Sequence, residues 1–276
     1  MTAPAEQHVR HRRRVTKRRA MIAGTAALGI TGAAIVTTTM LSSAGAASAW
    51  PTPAGNKSVS STIKVSGTYD GKLTKFSGSG DLGGGDQEEG QDPIFQLADG
   101  AVLKNVIIGT PAADGVHCTG SCTLQNVWWL DVGEDAASFK GKSSSAVYSV
   151  TGGGARNADD KVLQFNGAGK LVVSKFQVEN AGKLVRSCGN CSTQYKRTIS
   201  IDDVDVTAPM NSIVGINTNY GDTATLRKVR IHGDSKKKIK TCVRFQGNNT
   251  GKEPKELGTG PDGTSCKFSA SDITYQ

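Results

Sequence analysis

The chain has 276 residues, 37% of them hydrophobic and 21% charged, with 34 Gly and a formal charge of +9, the make-up of a folded chain and not a disordered one. The positive excess lies in residues 1–49, which carry seven Lys/Arg against the single acid Glu6, so the remainder is only weakly basic. That balance, with aromatic residues at 5%, argues against a nucleic-acid partner, since single strands are held on aromatic platforms in basic grooves.

Residues 1–49 have the form of an export signal. Arg10, Arg12, Arg13, Arg14, Lys17, Arg18 and Arg19 make a basic start, an apolar stretch runs from Ala20 to about Leu41, and Ala47-Ser48-Ala49 fits an A-x-A cleavage site. An uncleaved anchor is the alternative, because the stretch approaches the roughly 20 residues that span a bilayer. The cleavage motif favours release, so a secreted, extracellular protein is expected, free of the membrane once the signal is removed. Arg18-Arg19 leaves a twin-arginine route open.

Residues 50–61 read as a short polar lead. From Ile63 onward, helical periodicity is scarce and short alternating apolar runs recur between Gly, Asn and Asp, which predicts an all-β chain. The runs resemble one another: Leu103-Lys104-Asn105-Val106, Leu124-Gln125-Asn126-Val127, Val147-Tyr148-Ser149-Val150, Val173-Ser174-Lys175-Phe176, Ile201-Asp202-Asp203-Val204 and Leu226-Arg227-Lys228-Val229. Their spacing drifts through the twenties, the mark of a solenoid whose coils bury their apolar faces only by stacking. The L-x-x-L-x-L consensus of leucine-rich repeats is absent. A β-sandwich would also show short strands and turns, but the turn sequences here recur in step with the strands. The prediction is therefore a single-domain right-handed parallel β-helix over residues 50–276.

Asn105 and Asn126 hold the same place in consecutive coils and are expected to stack as a ladder inside the turns. Residues 60–69 and the stretch between Cys242 and Cys266 are the candidate end caps. Residues 82–91 read as a Gly- and acid-rich loop within the domain, and no Pro- or Ser-rich linker introduces a second module. A capped solenoid needs no partner, so a monomer is expected.

All six cysteines, Cys118, Cys122, Cys188, Cys191, Cys242 and Cys266, lie beyond the signal, and an even number in an exported chain predicts disulfides. Nearest-neighbour pairing is one of fifteen connectivities. A thioredoxin-like pair at Cys188-Gly189-Asn190-Cys191 and a zinc site rank lower, since no βαβ pattern surrounds the C-x-x-C. Residues 50–276 have two histidines, His117 and His232, and no G-x-S-x-G elbow, which argues against a Ser/His/Asp hydrolase. Gly141-Lys142-Ser143 resembles the end of a phosphate loop, but Ala136 stands where its first glycine belongs.

The informative stretch is Asp114-Gly115-Val116-His117-Cys118, followed after one strand by Asp131-Val132-Gly133-Glu134-Asp135. Asp114, Glu134 and Asp135 fall on one side of adjacent coils if the turns around the 124 strand stack. Clustered carboxylates repel unless a cation neutralises them, and hard oxygen ligands suit Ca²⁺. On spacing alone, solvated turn residues are the commoner outcome. Lys161, Lys183 and Arg186 follow in segments one repeat apart. An exposed basic face is the usual fate of such residues, but a lysine beside Ca²⁺ and two other cations is expected to titrate low and serve as a base, with Asp160 opposing the shift.

These residues also carry a family resemblance. From Ile63 to about Ile201 the chain resembles the secreted pectate lyases of polysaccharide lyase family 3, through Thr62 to Val65, Asp70 to Lys72, Gln87 to Phe95, Ala113 to Cys118, Asp131 to Ala136, Asp160 to Asn166 and Gly182 to Cys191. The resemblance implies a parallel β-helix, Ca²⁺ dependence and eliminative cleavage of polygalacturonate. It matches Asp114, Glu134 and Asp135 to calcium ligands, Lys161, Lys183 and Arg186 to catalytic cations, and Glu89 to an acid or second metal ligand near the cleft. Lys140 is assigned with Lys183 and Arg186 to substrate binding. Leu130 departs from the family pattern, which often has Glu there. A polygalacturonase-like glycoside hydrolase, with paired carboxylates and no calcium, and a non-catalytic pectin-binding solenoid are the alternatives.

Overall fold

Two parallel ladders, each built one rung per coil, account for nearly all regular structure in the computed structural model, which describes residues 49–84 and 90–276. The first ladder starts at Gly55–Val59 and passes through Thr68–Gly78, Ala101–Ile108 and Cys122–Trp129. It continues through the leading halves of the long strands Val147–Phe165, Gly169–Ser187 and Arg197–Asn217 to Thr223–His232. The second passes from Ile63–Val65 through Phe95–Leu97, Val116–Cys118 and Asp135–Phe139, along the trailing halves of the same long strands, to Lys240–Gln246. This is the expected parallel β-helix. Among the described residues no helix is long and apolar enough to cross a membrane. The export segment falls on residues outside those described, apart from Ala49.

One apolar column shows how the repeat builds the core. Leu103, Leu124, Val150, Val173, Ile201 and Leu226 pair in register from coil to coil, and every one of them is buried. Two positions further along each coil, Asn105, Asn126, Lys175, Asp203 and Lys228 adopt the left-handed conformation. The fifth coil differs from the sequence reading. Its unit is Val150-Thr151-Gly152-Gly153, three residues beyond the predicted Val147-Tyr148-Ser149-Val150, because Leu124 pairs with Val150 and Val127 with Gly153. Gly152 supplies the left-handed turn at φ 67°, and a Cβ on Gly153 would lie 2.0 Å from the Val127 carbonyl oxygen. The true unit lacks its second apolar residue, so the earlier Val-x-x-Val imitates the repeat.

The asparagine ladder forms at these left-handed positions: Asn126 Nδ2 donates to Asn105 Oδ1 at 2.8 Å, and Asn105 Nδ2 to Asp70 Oδ1 at 2.9 Å. The presumed polar lead is structured as well. Gly55–Val59 forms the outermost rung, so residues 60–69 belong to the coil inside it and are not the cap itself. Trp50 lies edge-on to Trp128 at 5.2 Å and donates from Nε1 to Glu179 at 3.0 Å.

The disulfides join nearest neighbours, Cys118–Cys122, Cys188–Cys191 and Cys242–Cys266. The last ties the final rung of the second ladder to Cys266–Lys267, which pairs with the final rung of the first. In the same end cap Asp262 Oδ1 accepts the backbone N–H groups of Thr264, Ser265 and Cys266, and Oδ2 accepts from Arg244 at 3.0 Å. Burial opposes this charge, but the four donors outweigh it and bring the carboxyl down to about 2. A native value below the unfolded one means stabilisation that is complete above the ordinary aspartate range and lost as pH falls toward 2. Asp262→Asn should therefore lower the melting temperature at pH 7 yet flatten its decline between about pH 4 and 2. Calorimetric scans across that range check both parts.

Candidate active site

Strand register places the charged residues. Asp135 opens Asp135–Phe139 and stands beside Lys161 on the next rung, which stands beside Lys183 on the one after. Glu134 immediately precedes that strand, and Asp114 lies in the turn before Val116–Cys118, one coil back. That turn is tight: Gly115 has φ 47°, and a Cβ there would meet the Ala136 carbonyl oxygen at 2.1 Å. Asp114, Glu134 and Asp135 are all buried, and each offers an oxygen within 4.8 Å of the others.

Three carboxylates in so small a buried volume are electrostatically unfavourable by themselves. Burial, and after it the charges of Glu134 and Asp114, push the Asp135 carboxyl well above the ordinary aspartate range, although Lys161 and a 2.8 Å hydrogen bond from Ser138 work against the shift. The Oδ1 atoms of Asp114 and Asp135 are buried without a hydrogen bond. Asp114 Oδ2 is held by His117 Nε2, and Lys140 Nζ lies 3.0 Å from that nitrogen and 3.9 Å from Asp114. Three carboxylates converging at this spacing, two of them with an oxygen that accepts no hydrogen bond, fit a hard divalent cation with oxygen ligands, and Ca²⁺ meets that description.

The predicted cations gather on the same face. Lys161 Nζ is 2.8 Å from Asp160 and 3.8 Å from both Glu134 and Asp135, while Lys183 pairs with the other oxygen of Asp160. Arg186 is buried one turn of pleat further along, beside Gln164 of the preceding rung. Together with Asn190, Phe245 and Glu253, these residues line a cleft of about 260 Å³. Lys140 sits at the acidic cluster, over His117. Glu89 lies outside the described residues.

The low titration expected of Lys161 supposes Ca²⁺ beside it; without the cation the neighbouring acids set the balance. Burial pulls its ammonium group down, but Asp135, Asp160 and Glu134 together outweigh burial, and the group titrates above the ordinary lysine value. Asp160 opposes a downward shift, as expected: it bridges the two lysines and is itself held below the usual aspartate value by them despite burial. Asn217 and Phe245, which touch Arg186, escaped the sequence reading because they lie on coils beyond the matching motifs and carry no motif of their own.

A family model described as pectate lyase matches residues 47–252. The chain belongs to the pectate lyase family. It is 50% identical over 220 residues to the probable pectate lyase E of Neosartorya fischeri, covering 79% of this chain and 83% of that one. It is 47% identical over 220 residues to pectate lyase E of Emericella nidulans, covering 79% and 84%. Among solved structures, the catalytic domain of pectate lyase PelI from Erwinia chrysanthemi superposes with a TM-score of 0.70 at 33% identity, covering 80% of this chain and all of that domain. PelI in complex with tetragalacturonic acid gives a TM-score of 0.67 at 33% identity, with 79% and 70% coverage. Family membership makes this pectate lyase a polysaccharide-cleaving enzyme on a parallel β-helix.

The raised Asp135 carboxyl has a measurable consequence for the lyase. Its ionised form destabilises the cation-free fold, a cost that grows as pH rises from the unfolded to the folded value and is complete at still higher pH. In chelator at pH 8, Asp135→Asn should raise the melting temperature, by about 2–4 °C for each kcal/mol relieved. Added Ca²⁺ should stabilise the parent protein and leave the variant nearly unmoved, as differential scanning fluorimetry with and without the cation reads directly.

Proposed function

We propose that this pectate lyase is calcium-dependent and cleaves polygalacturonate by β-elimination, leaving 4,5-unsaturated ends. The convergence of Asp114, Glu134 and Asp135 beside Lys161, Lys183 and Arg186 carries this reading. The similarity to PelI, solved with tetragalacturonic acid, supports the substrate class. Residues 1–49 are proposed to direct export and residues 50–276 to form the secreted β-helix domain. A monomer is proposed, because a capped solenoid needs no partner to bury its ends.

The chemistry required is removal of the C5 proton of a galacturonate residue, which lies α to a carboxylate already bearing charge. A Ca²⁺ ion held by Asp114, Glu134 and Asp135 would bind that carboxylate and stabilise charge developing on it. Arg186 adds a fixed positive charge, and Lys183 pairs with a substrate carboxylate. Lys161 takes the C5 proton. The C5–H electron pair becomes the C4=C5 double bond as the C4–O bond breaks, and the departing oxygen is protonated by water.

Lys161 acts as a base only after losing its own proton, a loss opposed by Asp135, Glu134 and Asp160. With Asp135 and Glu134 neutralised, Asp160 remains as the opposing charge. Because Asp160 still favours the ammonium form and a lysine ordinarily titrates well above neutrality, the reactive fraction grows with pH, and kcat/KM should climb by up to about tenfold per pH unit between pH 7 and 9.

Near-ultraviolet absorbance of polygalacturonate, followed with and without a chelator, tests the proposal. Calcium-dependent growth of the conjugated signal is expected, with Lys161→Ala lowering kcat by about 10³-fold while polymer binding is kept. Reducing ends without the signal would identify a hydrolase. Binding with no cleavage would identify an adhesive solenoid, and near-normal turnover in Lys161→Ala would remove that residue from the role.

A further inference from the structure

Arg186 is buried, yet no described carboxylate lies within salt-bridge distance of it. Its partners are neutral. Nη1 donates to Asn217 Oδ1 at 3.1 Å, and the guanidinium carbon lies 4.0 Å from the centroid of the Phe245 ring. Asn217 is fully buried and cannot flip, because its Nδ2 donates to the Cys188 carbonyl at 2.8 Å and its own N–H is held by Asp222 at 3.0 Å. Of the nearby acids, Asp222 spends its other oxygen on the backbone N–H of Arg197 at 2.9 Å, while Glu253 and Asp160 line the same cleft without pairing with Arg186.

Two glycines complete the enclosure. A Cβ on Gly215 would stand 2.8 Å from Arg186 Cδ and 3.1 Å from the Phe245 ring, and one on Gly189 would stand 2.5 Å from Arg186 Nη2. Asn217 and Phe245 are opposite each other in register on adjacent rungs, so the coil beneath Arg186 and the coil after it each supply one wall.

We propose that Asn217 and Phe245 are positioning residues that clamp Arg186 in its working orientation through an amide oxygen and an aromatic face, so that no ion-paired acid competes with the substrate carboxylate for its guanidinium. A carboxylate in the place of Asn217 would bind the guanidinium but pair off its charge, and it would lose the donor that the Cys188 carbonyl accepts from. The neutral amide orients without cancelling, and the ring face adds attraction in a partly dry cleft without competing for the N–H donors. This inference rests on the proposed part of Arg186 in the elimination.

The test measures kcat and KM on polygalacturonate at saturating Ca²⁺, with melting temperatures to confirm folding. Arg186→Lys should lower kcat by about 100-fold or more. Phe245→Leu should lower kcat by about 3- to 30-fold with KM and Ca²⁺ affinity little changed, and Phe245→Tyr should restore most of that loss. Asn217→Asp, close in size, should lower kcat by about 10- to 100-fold. In the Arg186→Lys background, Phe245→Leu should cost less than about twofold more, because its effect runs through the arginine.

If Arg186→Lys is impaired while Phe245→Leu keeps parental kcat, the arginine works unclamped and the inference fails although the reaction assignment stands. A full Phe245→Leu loss in the Arg186→Lys background overturns it as well, since the ring would then act independently. Parental kcat in Arg186→Lys removes the arginine from the reaction and the clamp with it. Should Asn217→Asp not fold, the Phe245 pair still decides.

Discussion

Hydrogen-bonded rungs lie about 4.8 Å apart in a parallel ladder, and nearly every functional distance in this protein follows from that spacing. Residues at matching positions of successive coils are neighbours whether their side chains attract or repel. Asp135, Lys161 and Lys183 are consecutive members of one such column. Leu103, Leu124 and Val150 are members of another that turns inward. The core and the site are two faces of a single stacking rule, and a slip of one residue would scramble both.

The site uses this rule to place an acidic cluster and a basic cluster side by side. Each is unfavourable alone: the buried carboxylates repel one another, and the cations sit partly out of water. Asp160 joins the two by holding Lys161 and Lys183 together, and Lys161 in turn faces Glu134 and Asp135. The result is a site whose proton affinities depend on what occupies the acidic cluster. Burial brings the Arg186 guanidinium down to about 10, with Asp222, Glu253 and Asp160 working against the shift. Stored electrostatic tension of this kind fits a polyanionic substrate, because such a ligand brings charge that the cations lack.

Much of the architecture was legible along the chain because solenoid coils repeat both their apolar positions and their turns. The register slip at Val147 marks the limit of that legibility. A Val-x-x-Val sequence looks like the repeat, whereas the actual rung at Val150 replaces its second apolar residue with Gly153, which the Val127 carbonyl leaves no room to enlarge. The cysteine pairing was not legible in the same way: an even count predicts bridges but leaves fifteen connectivities, and the stacked coils select the nearest neighbours. The strand at Gly55–Val59 was missed because only its last residue is buried, which leaves little apolar pattern to detect.

At the site, residue types and their order along the chain were determined by the sequence alone: three acids in two adjacent turns, then lysines and an arginine one repeat apart. The tertiary structure decided what each group experiences. In the cation-free protein Asp135, Asp160 and Glu134 surround Lys161 in space and hold its proton, and Arg186 is oriented without an ion pair because Asn217 and Phe245 reach it from two later coils. Covalent order records which chemistry is available, but electrostatic energy depends on distance and burial, and those exist only once the coils have stacked.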